Sequence, residues 1–435
     1  MPRPRVKALA ASRQPDGSAA EALAAALAEA SATPPARLGV AVSGGGDSLA
    51  LLHLLHDWAA ANGVALSAAT VDHGLRAAAA AEAAMVADVC AGLGLPHAVL
   101  RWRGWEGRGN LPDAARRARY RLLGDWARGQ GLAAVALGHT LDDQAETLLM
   151  RLARGSGVDG LSAMAARREA GGMVWLRPLL GVRRGTLRDL LRARGVGWAE
   201  DPSNDDPAFD RVKARRALAA LAPLGIDAAG LAATAGRMAT ARAALAHAAH
   251  ALAQDCVSIE AGDVVIDRPL FEAAPEETRL RLMAHALGFV GSAEYRPRLA
   301  SLQAALGAAL GGRRRTLAGC LIRPRARSLR ITREYRAVAT LETRPDVLWD
   351  GRWRLSGPDS NGLTLRALGP EGLARLPGWR DAGLPRDSLI AAPALWRGPE
   401  LVAAPLACVD ATSPQGWRLW PEKGRQDFLS ALLSH

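Results

Sequence analysis

The chain has 435 residues, 49 % of them apolar and 4 % aromatic, which is too long for one ordinary core and too apolar for general disorder. Its 55 basic residues outweigh 43 acidic ones for a net charge of +12, and that balance favours a polyanionic partner. The four cysteines, Cys90, Cys256, Cys320 and Cys408, are too scattered for a CxxC redox pair, a zinc ribbon or an iron–sulfur cluster and fit a reducing cytoplasm, and no apolar run reaches membrane-spanning length.

Ser18 to Ala30 reads as a helix rather than a signal-peptide core, because Asp16, Glu21 and Glu29 interrupt the apolar stretch. Strand and helix then alternate. Leu38 to Val42 is a short buried strand and Leu49 to Ala61 has helical spacing. Leu66 to Val71 is a second strand, Ala77 to Leu93 a second helix, and His97 to Trp102 a third strand. Pro112 to Gln130 is an amphipathic helix, Leu132 to Leu137 a fourth strand and Leu141 to Arg154 a fourth helix. This order predicts an α/β fold: a parallel sheet with helices on both faces, whose ligands bind at the carboxyl ends of the strands.

The alternation stops after about Ala217. Residues 217 to 255 and 276 to 310 look helical, with hairpins expected over Cys256 to Asp267, around Gly262, and over Thr316 to Arg333. From about Ala337 six of the 12 tryptophans gather, with frequent Pro and Gly. Three domains are therefore expected: 1–216 α/β and catalytic, 217–335 mainly helical, and 336–435 small and α+β.

The run Val40-Ala-Val-Ser-Gly-Gly-Gly-Asp-Ser48 follows the first strand and opens the first helix of the alternating region. Gly44, Gly45 and Gly46 let the backbone turn tightly and approach a ligand, Ser43 and Ser48 offer hydroxyls, and the helix start offers free N–H groups. Together they form a phosphate cradle. It is not a Walker A loop, because GxxxxGK[ST] and its lysine are absent. Asp47 is placed to orient Mg²⁺ on a polyphosphate; a helix-capping carboxylate is the alternative. Gly155-Ser-Gly157-Val-Asp-Gly160 matches GxGxxG but follows a helix, so it reads as a helix end and loop. The pairs His53/His56 and His247/His250 lack an acidic third ligand and read as structural.

Asp72 and His73 end the second strand at the expected crevice, with a plain turn histidine as the alternative for His73. Asp143 and Glu146 lie three apart on one helix face, a pairing that suits an ammonium ligand, with a solvated helix start as the alternative. Arg116 and Arg119 are one helical turn apart and Arg211 and Arg215 are spaced i,i+4, so each pair suits phosphate as well as surface salt bridges. Gly312-Arg-Arg-Arg-Thr316 and Arg323-Pro-Arg-Ala-Arg327 are further basic clusters.

The SGGxDS form of Ser43 to Ser48 resembles the pyrophosphate loop of the N-type ATP pyrophosphatases. Further motifs narrow the resemblance. They are Val71-Asp-His-Gly-Leu-Arg76, Asn110-Leu-Pro-Asp-Ala-Ala-Arg-Arg-Ala-Arg-Tyr120, Gly138-His-Thr-Leu-Asp-Asp-Gln-Ala-Glu-Thr147, Arg177-Pro-Leu-Leu180, Asp201-Pro-Ser-Asn-Asp205 and Arg211-Val-Lys-Ala-Arg215. In this order they are similar to the tRNA(Ile)-lysidine synthases through about residue 216. Thr140 stands where that family has a second histidine, and Val212 where it has asparagine.

The resemblance implies an adenine nucleotide alpha hydrolase-like domain. It implies an ATP-dependent carbon–nitrogen ligase that adenylates C2 of the wobble cytidine in a CAU-anticodon tRNA(Ile). Free L-lysine then joins C2, giving lysidine and switching codon reading from AUG to AUA. It also implies residue roles. Asp47, Asp143, Glu146 and Arg116 are the catalytic set. Ser43, Gly44, Gly45, Gly46, Asp47, Ser48, Asp72, His73, Gly138 and His139 bind ATP, with Asp47 on Mg²⁺. Arg76, Arg119, Asp142, Arg211 and Arg215 bind substrate, with metal as the alternative for Asp142. The later domains would grip tRNA, and a homodimer is compatible with the sequence. Two rival readings remain: another pyrophosphate-loop tRNA-modifying enzyme, and a non-catalytic RNA-binding protein on the same fold.

Overall fold

A computed structural model describes residues 15–31, 33–74, 78–103, 105, 109–200, 206, 208–292, 296–358, 360–408 and 416–433. The chain divides into two compact units, Met1–Arg242 and Ala243–His435. The division falls inside one long helix rather than at 216/217, and residues on both sides of 335/336 belong to the second unit.

The first unit begins with α1 (Pro15–Ala30), β1 (Arg37–Ala41), α2 (Gly46–Asn62), β2 (Ala65–Asp72), α3 (Ala78–Gly92) and β3 (His97–Arg101). It continues through α4 (Leu111–Gly129), β4 (Ala134–Leu137), α5 (Leu141–Leu152) and the single turn α6 (Val158–Leu161). The hairpin β5 (Arg167–Ala170) and β6 (Met173–Leu176) follows, then α7 (Arg184–Ala193), α8 (Asp210–Leu221) and the first half of α9 (Ala228–Cys256). The expected strands and helices up to α5 all form, with ends shifted by a few residues. The β5–β6 hairpin is new; Gly171 and Gly172, at φ +61° and +69°, supply its two-residue turn.

The sheet runs β3-β2-β1-β4-β6-β5. Its first five strands are parallel, and β5 pairs antiparallel with β6 at the edge. Successive strand side chains alternate between faces. On one face Leu38, Val40, Ala134 and Ala136 pack with Leu51 and Leu55 of α2, Leu23 of α1 and Leu187 of α7. On the other, Val135 and Leu137 pack with Leu123 and Ala127 of α4 and with Trp175. The chain builds outward from β1 to β3, then returns to place β4 on the other side of β1. That reversal opens a crevice at the carboxyl ends of β1 and β4, where doubly wound sheets bind ligands.

The second unit contains β7 (Val257–Glu260), β8 (Asp263–Asp267), α10 (Arg268–Ala273), α11 (Glu276–Gly291), α12 (Leu299–Leu310), β9 (Arg315–Leu317), β10 (Cys320–Pro324) and β11 (Ser328–Arg333). Both expected hairpins form, and β8 joins β11 to merge them into one antiparallel sheet, β7-β8-β11-β10-β9, covered by α11 and α12. The segment expected to be mainly helical therefore carries a five-stranded sheet. Beyond it lie α13 (Tyr335–Val338), β12 (Glu342–Thr343), β13 (Trp353–Ser356), β14 (Thr364–Ala367), α14 (Gly369–Ala374), α15 (Arg386–Ile390), β15 (Pro393–Arg397), β16 (Glu400–Ala403), β17 (Arg418–Pro421) and α16 (Arg425–Leu433). Phe428, Leu429 and Leu432 of α16 pack into the core of α11 and α12, which ties the end of the chain to its middle. Among the described residues no single helix is long and apolar enough to cross a membrane. Cys90, Cys256 and Cys320 are buried free thiols, and burial pushes Cys90 up to about 11 and Cys256 and Cys320 to about 12.

Candidate active site

Residues 42–45 carry the chain from β1 into α2. Gly44 sits at φ +87°, a backbone conformation that calls for glycine, and a Cβ there would lie 3.2 Å from the end of Met85 of α3. The loop is closed by its own serines: the Ser43 amide donates to Ser48 Oγ at 3.1 Å, and Ser48 Oγ donates to the Gly45 carbonyl at 2.9 Å. Gly45 precedes the first turn of α2 without a side-chain cap. That leaves backbone N–H groups and the positive end of the helix dipole for an anion. The Ala199 amide donates to the Gly44 carbonyl at 2.9 Å, and Trp198 lies against Gly46, where a Cβ would be 3.5 Å from its ring.

The end of β4 meets this loop from the neighbouring strand. A Cβ on Gly138 would lie 3.0 Å from the Asp47 carbonyl and 3.0 Å from Ser48 Cα, so glycine permits backbone-to-backbone approach there. Thr140 then caps α5. Its amide and hydroxyl both donate to Asp143 Oδ2 at 2.9 Å, and its Oγ1 accepts from the Asp143 amide at 3.3 Å. Thr140 is fully buried. In place of a second histidine the chain thus has a residue that fixes the Asp143 carboxylate. Glu146, one turn on, is 1 % exposed, and its Oε2 is buried without a hydrogen-bond partner. The neighbouring His139 is pushed down to about 3, chiefly by burial, with Asp143 opposing, so the ring is neutral at physiological pH.

One residue that the sequence reading did not single out joins these groups. Arg184, first residue of α7, donates through Nε to Asp47 Oδ2 at 2.9 Å. Its Nη2 reaches Asp143 Oδ1 at 3.3 Å and its Nη1 reaches Glu146 Oε1 at 3.4 Å, while its backbone amide donates to Asp142 Oδ2 at 2.7 Å. Arg215 Nε also donates to Glu146 Oε1, at 3.1 Å. Burial raises the Asp47 carboxyl above its usual range, against the pull of Arg184. Burial opposes ionisation of Asp143 too, but the Arg184 charge and the Thr140 amide outweigh it and hold that carboxyl below its usual range. The signal in the sequence was slight: an arginine seven residues after Arg177, at the start of a helix whose leucines recur at 187, 190 and 191.

The remaining candidates sit at the end of β2 and on α4 and α8. Asp72 Oδ1 accepts from the Gly74 amide at 2.8 Å and so shapes the turn after β2. Arg119 lies 3.4 Å from His73 Nε2, and Arg116 stacks over Tyr120 at 5.2 Å. Arg211 and Arg116 act electrostatically on His139, and Arg211 also on Asp143. Val212 is buried, so the position where the family has asparagine serves packing here. Arg177 is buried as well, donating to the Ala165 carbonyl at 2.8 Å and to Tyr120 Oη at 3.3 Å. Arg76 and the Asp201–Asp205 motif lie outside the described residues. Gly155, at φ +66°, ends α5 as expected, so the GxGxxG match is a turn.

A model of the PP-loop domain family matches residues 17–222. A tRNA(Ile)-lysidine synthase of Ruegeria pomeroyi is 53 % identical over 405 residues, 93 % of this chain and 96 % of that protein. The chain belongs to the tRNA(Ile)-lysidine synthase family. Two other tRNA(Ile)-lysidine synthases are less similar. That of Bradyrhizobium diazoefficiens is 45 % identical over 316 residues, covering 65 % of this chain and 86 % of the relative. That of Mesorhizobium japonicum is 38 % identical over 384 residues, covering 84 % and 83 %. The family match to the PP-loop domain takes in the whole cluster from Ser43 to Arg215.

Proposed function

We propose that this chain is an ATP-dependent ligase that attaches lysine to the wobble cytidine of a CAU-anticodon tRNA(Ile). One observation carries the reading: a phosphate-cradling loop and a buried pair of carboxylates, Asp143 and Glu146, meet at the switch point of the sheet through Arg184. A nucleotide site alone would need no buried acidic pair. An amine site alone would need no glycine loop.

In the first step the cytidine C2 oxygen attacks the α-phosphorus of ATP, the bond from that phosphorus to the bridging oxygen breaks, and pyrophosphate leaves. The loop amides and the start of α2 stabilise charge building on the phosphates. Asp47 fits Mg²⁺, because that ion commonly binds through one or two carboxylates together with substrate phosphates and water; bound there, it would neutralise phosphate charge. In the second step the lysine ε-nitrogen forms a bond to C2, the C2–O bond breaks, and AMP leaves. Before attack the ammonium must lose a proton. Glu146 is the acceptor, since its Oε2 is buried and otherwise without a partner. Arg116, Arg119 and Arg211 surround this centre as phosphate ligands for ATP or tRNA. Basic residues of the second unit, among them Arg313 to Arg315, would hold tRNA away from the reacting base.

Mass spectrometry of a CAU tRNA incubated with the enzyme, ATP and labelled lysine tests the reading. Lysine's mass, less water, should appear on the wobble cytidine with one AMP and one pyrophosphate released. Unchanged cytidine would reject the assignment.

A further inference from the structure

We propose that Arg184 is the positioning residue of the amine site, holding Asp47, Asp143 and Glu146 in one frame and setting the cluster's charge so that it accepts a single ammonium group. The inference rests on Asp143 and Glu146 being that site.

The placement of Arg184 is unlike that of a surface arginine. Its side chain is 19 % exposed and spans three carboxylates that come from two elements, α2 and α5. Its backbone is fixed independently, because its amide donates to Asp142 at 2.7 Å. Behind it, Leu187, Leu190 and Leu191 are fully buried and seat α7 against the core. A guanidinium tethered in this way gives its partners a geometry that does not depend on substrate. Preorganised partners spare a ligand the cost of ordering them.

The charges point to the occupant. Within the directly bonded cluster, three carboxylates (Asp47, Asp143 and Glu146) face two guanidinium groups (Arg184 and Arg215). One negative charge is left over. Glu146 Oε2 is also left over, as an acceptor buried without a partner. A buried acceptor in that condition is costly unless something donates to it. An ammonium supplies one positive charge and up to three donors. Without Arg184, only Arg215 and the incoming amine would be left to hold three mutually repelling carboxylates.

The test is lysine ligation by the full chain on a CAU tRNA, with lysine varied at saturating ATP. In Arg184→Gln, KM for lysine should rise about ten-fold or more, the equivalent of one lost charge-assisted hydrogen bond, with a smaller fall in kcat. Arg184→Lys keeps the charge but lacks the planar fork, so its KM should fall between the two. It also provides the readout if Arg184→Gln melts too early to assay. A KM for lysine that is unchanged or lowered in both variants would overturn the assignment, a lowered one by marking Arg184 as a competitor of the amine. Wild-type chain that adds no lysine would instead overturn the reading beneath it.

Discussion

Arg184 and Asp47 stand 137 positions apart in the chain, yet Nε of the first donates to Oδ2 of the second at 2.9 Å. The contact joins the nucleotide loop to the start of α7 and leaves the other carboxylate oxygen of Asp47 for a second partner. Asp47→Asn keeps the shape and an acceptor for Arg184 while removing the charge. We expect adenylation, read as tRNA-dependent ATP–pyrophosphate exchange, to fall on the order of 100-fold, as when a preorganised charge is lost from a transition state. Because burial already raises the Asp47 carboxyl, the neutral side chain should cost little stability, within about 1 kcal/mol. Exchange at the wild-type rate would remove Asp47 from the chemistry.

Gly138 makes the close approach between β4 and α2 possible. An alanine there would bring its Cβ to 3.0 Å from the Asp47 carbonyl and from Ser48 Cα. Neither is the end of a flexible side chain, so the backbones must move apart. Gly138→Ala should cost about 1–3 kcal/mol, as overpacked sites do, and should raise KM for ATP because the loop moves with α2. Thermal melting and ATP titration of the exchange reaction check both effects. A variant with wild-type KM would show that the loop tolerates the shift.

Thr140 predicts a different balance. Its hydroxyl accepts from one backbone amide and donates to one carboxylate, both of Asp143. Thr140→Val preserves the volume and removes both bonds. We expect a loss of about 0.5–2 kcal/mol, the usual range for a helix N-cap, while Thr140→Ser should restore most of it. Asp143 retains the Thr140 backbone amide, so ligation should weaken rather than vanish.

The strands up to β4 and the helices between them were legible because each is a short apolar run or a periodic stretch bounded by turn residues. The loop was legible because Gly44 to Gly46 have to be small, and Asp143 and Glu146 because three residues make one helical turn. Arg184 was not. Arg183 beside it is the same residue type, the surrounding segment is rich in arginine, and the partners lie 137, 41 and 38 positions away. Only the crossover that sets β4 beside β1 brings them together. The same holds in the second unit, where the hairpins were readable from local turns such as Ala261-Gly262, but the pairing of β8 with β11 is long-range.

His139 gives the acid side of the stability curve a specific shape. Burial holds it at about 3, against an ordinary value of 6.5. Above 6.5 the ring is neutral both folded and unfolded, and it adds no pH dependence. As pH falls from 6.5 towards 3, the unfolded chain takes up a proton that the folded chain refuses, so stability is lost across that window. His139→Gln cannot take up that proton. Its melting temperature should therefore decline less steeply than wild type between pH 6.5 and about 3. Parallel curves would mean that the ring is protonated in the folded chain.

The second unit yields a prediction about salt. Arg313, Arg314 and Arg315 are exposed where α12 turns into β9. Arg314 has a distant carboxylate, Asp387, at 3.8 Å, and Asp387 is held more closely by Arg323 at 2.6 Å. The cluster is therefore largely uncommitted to internal pairing and can meet phosphate. Replacing Arg313 and Arg315 with alanine should weaken tRNA binding similarly for CAU and other anticodons, because phosphate contacts carry no sequence information. The slope of log affinity against log salt should become shallower by about one for each contact removed. Lysine KM should not change, since the residues of the proposed amine site all lie in the first unit. An unchanged slope would place the phosphate contacts elsewhere and leave these arginines as solvated surface.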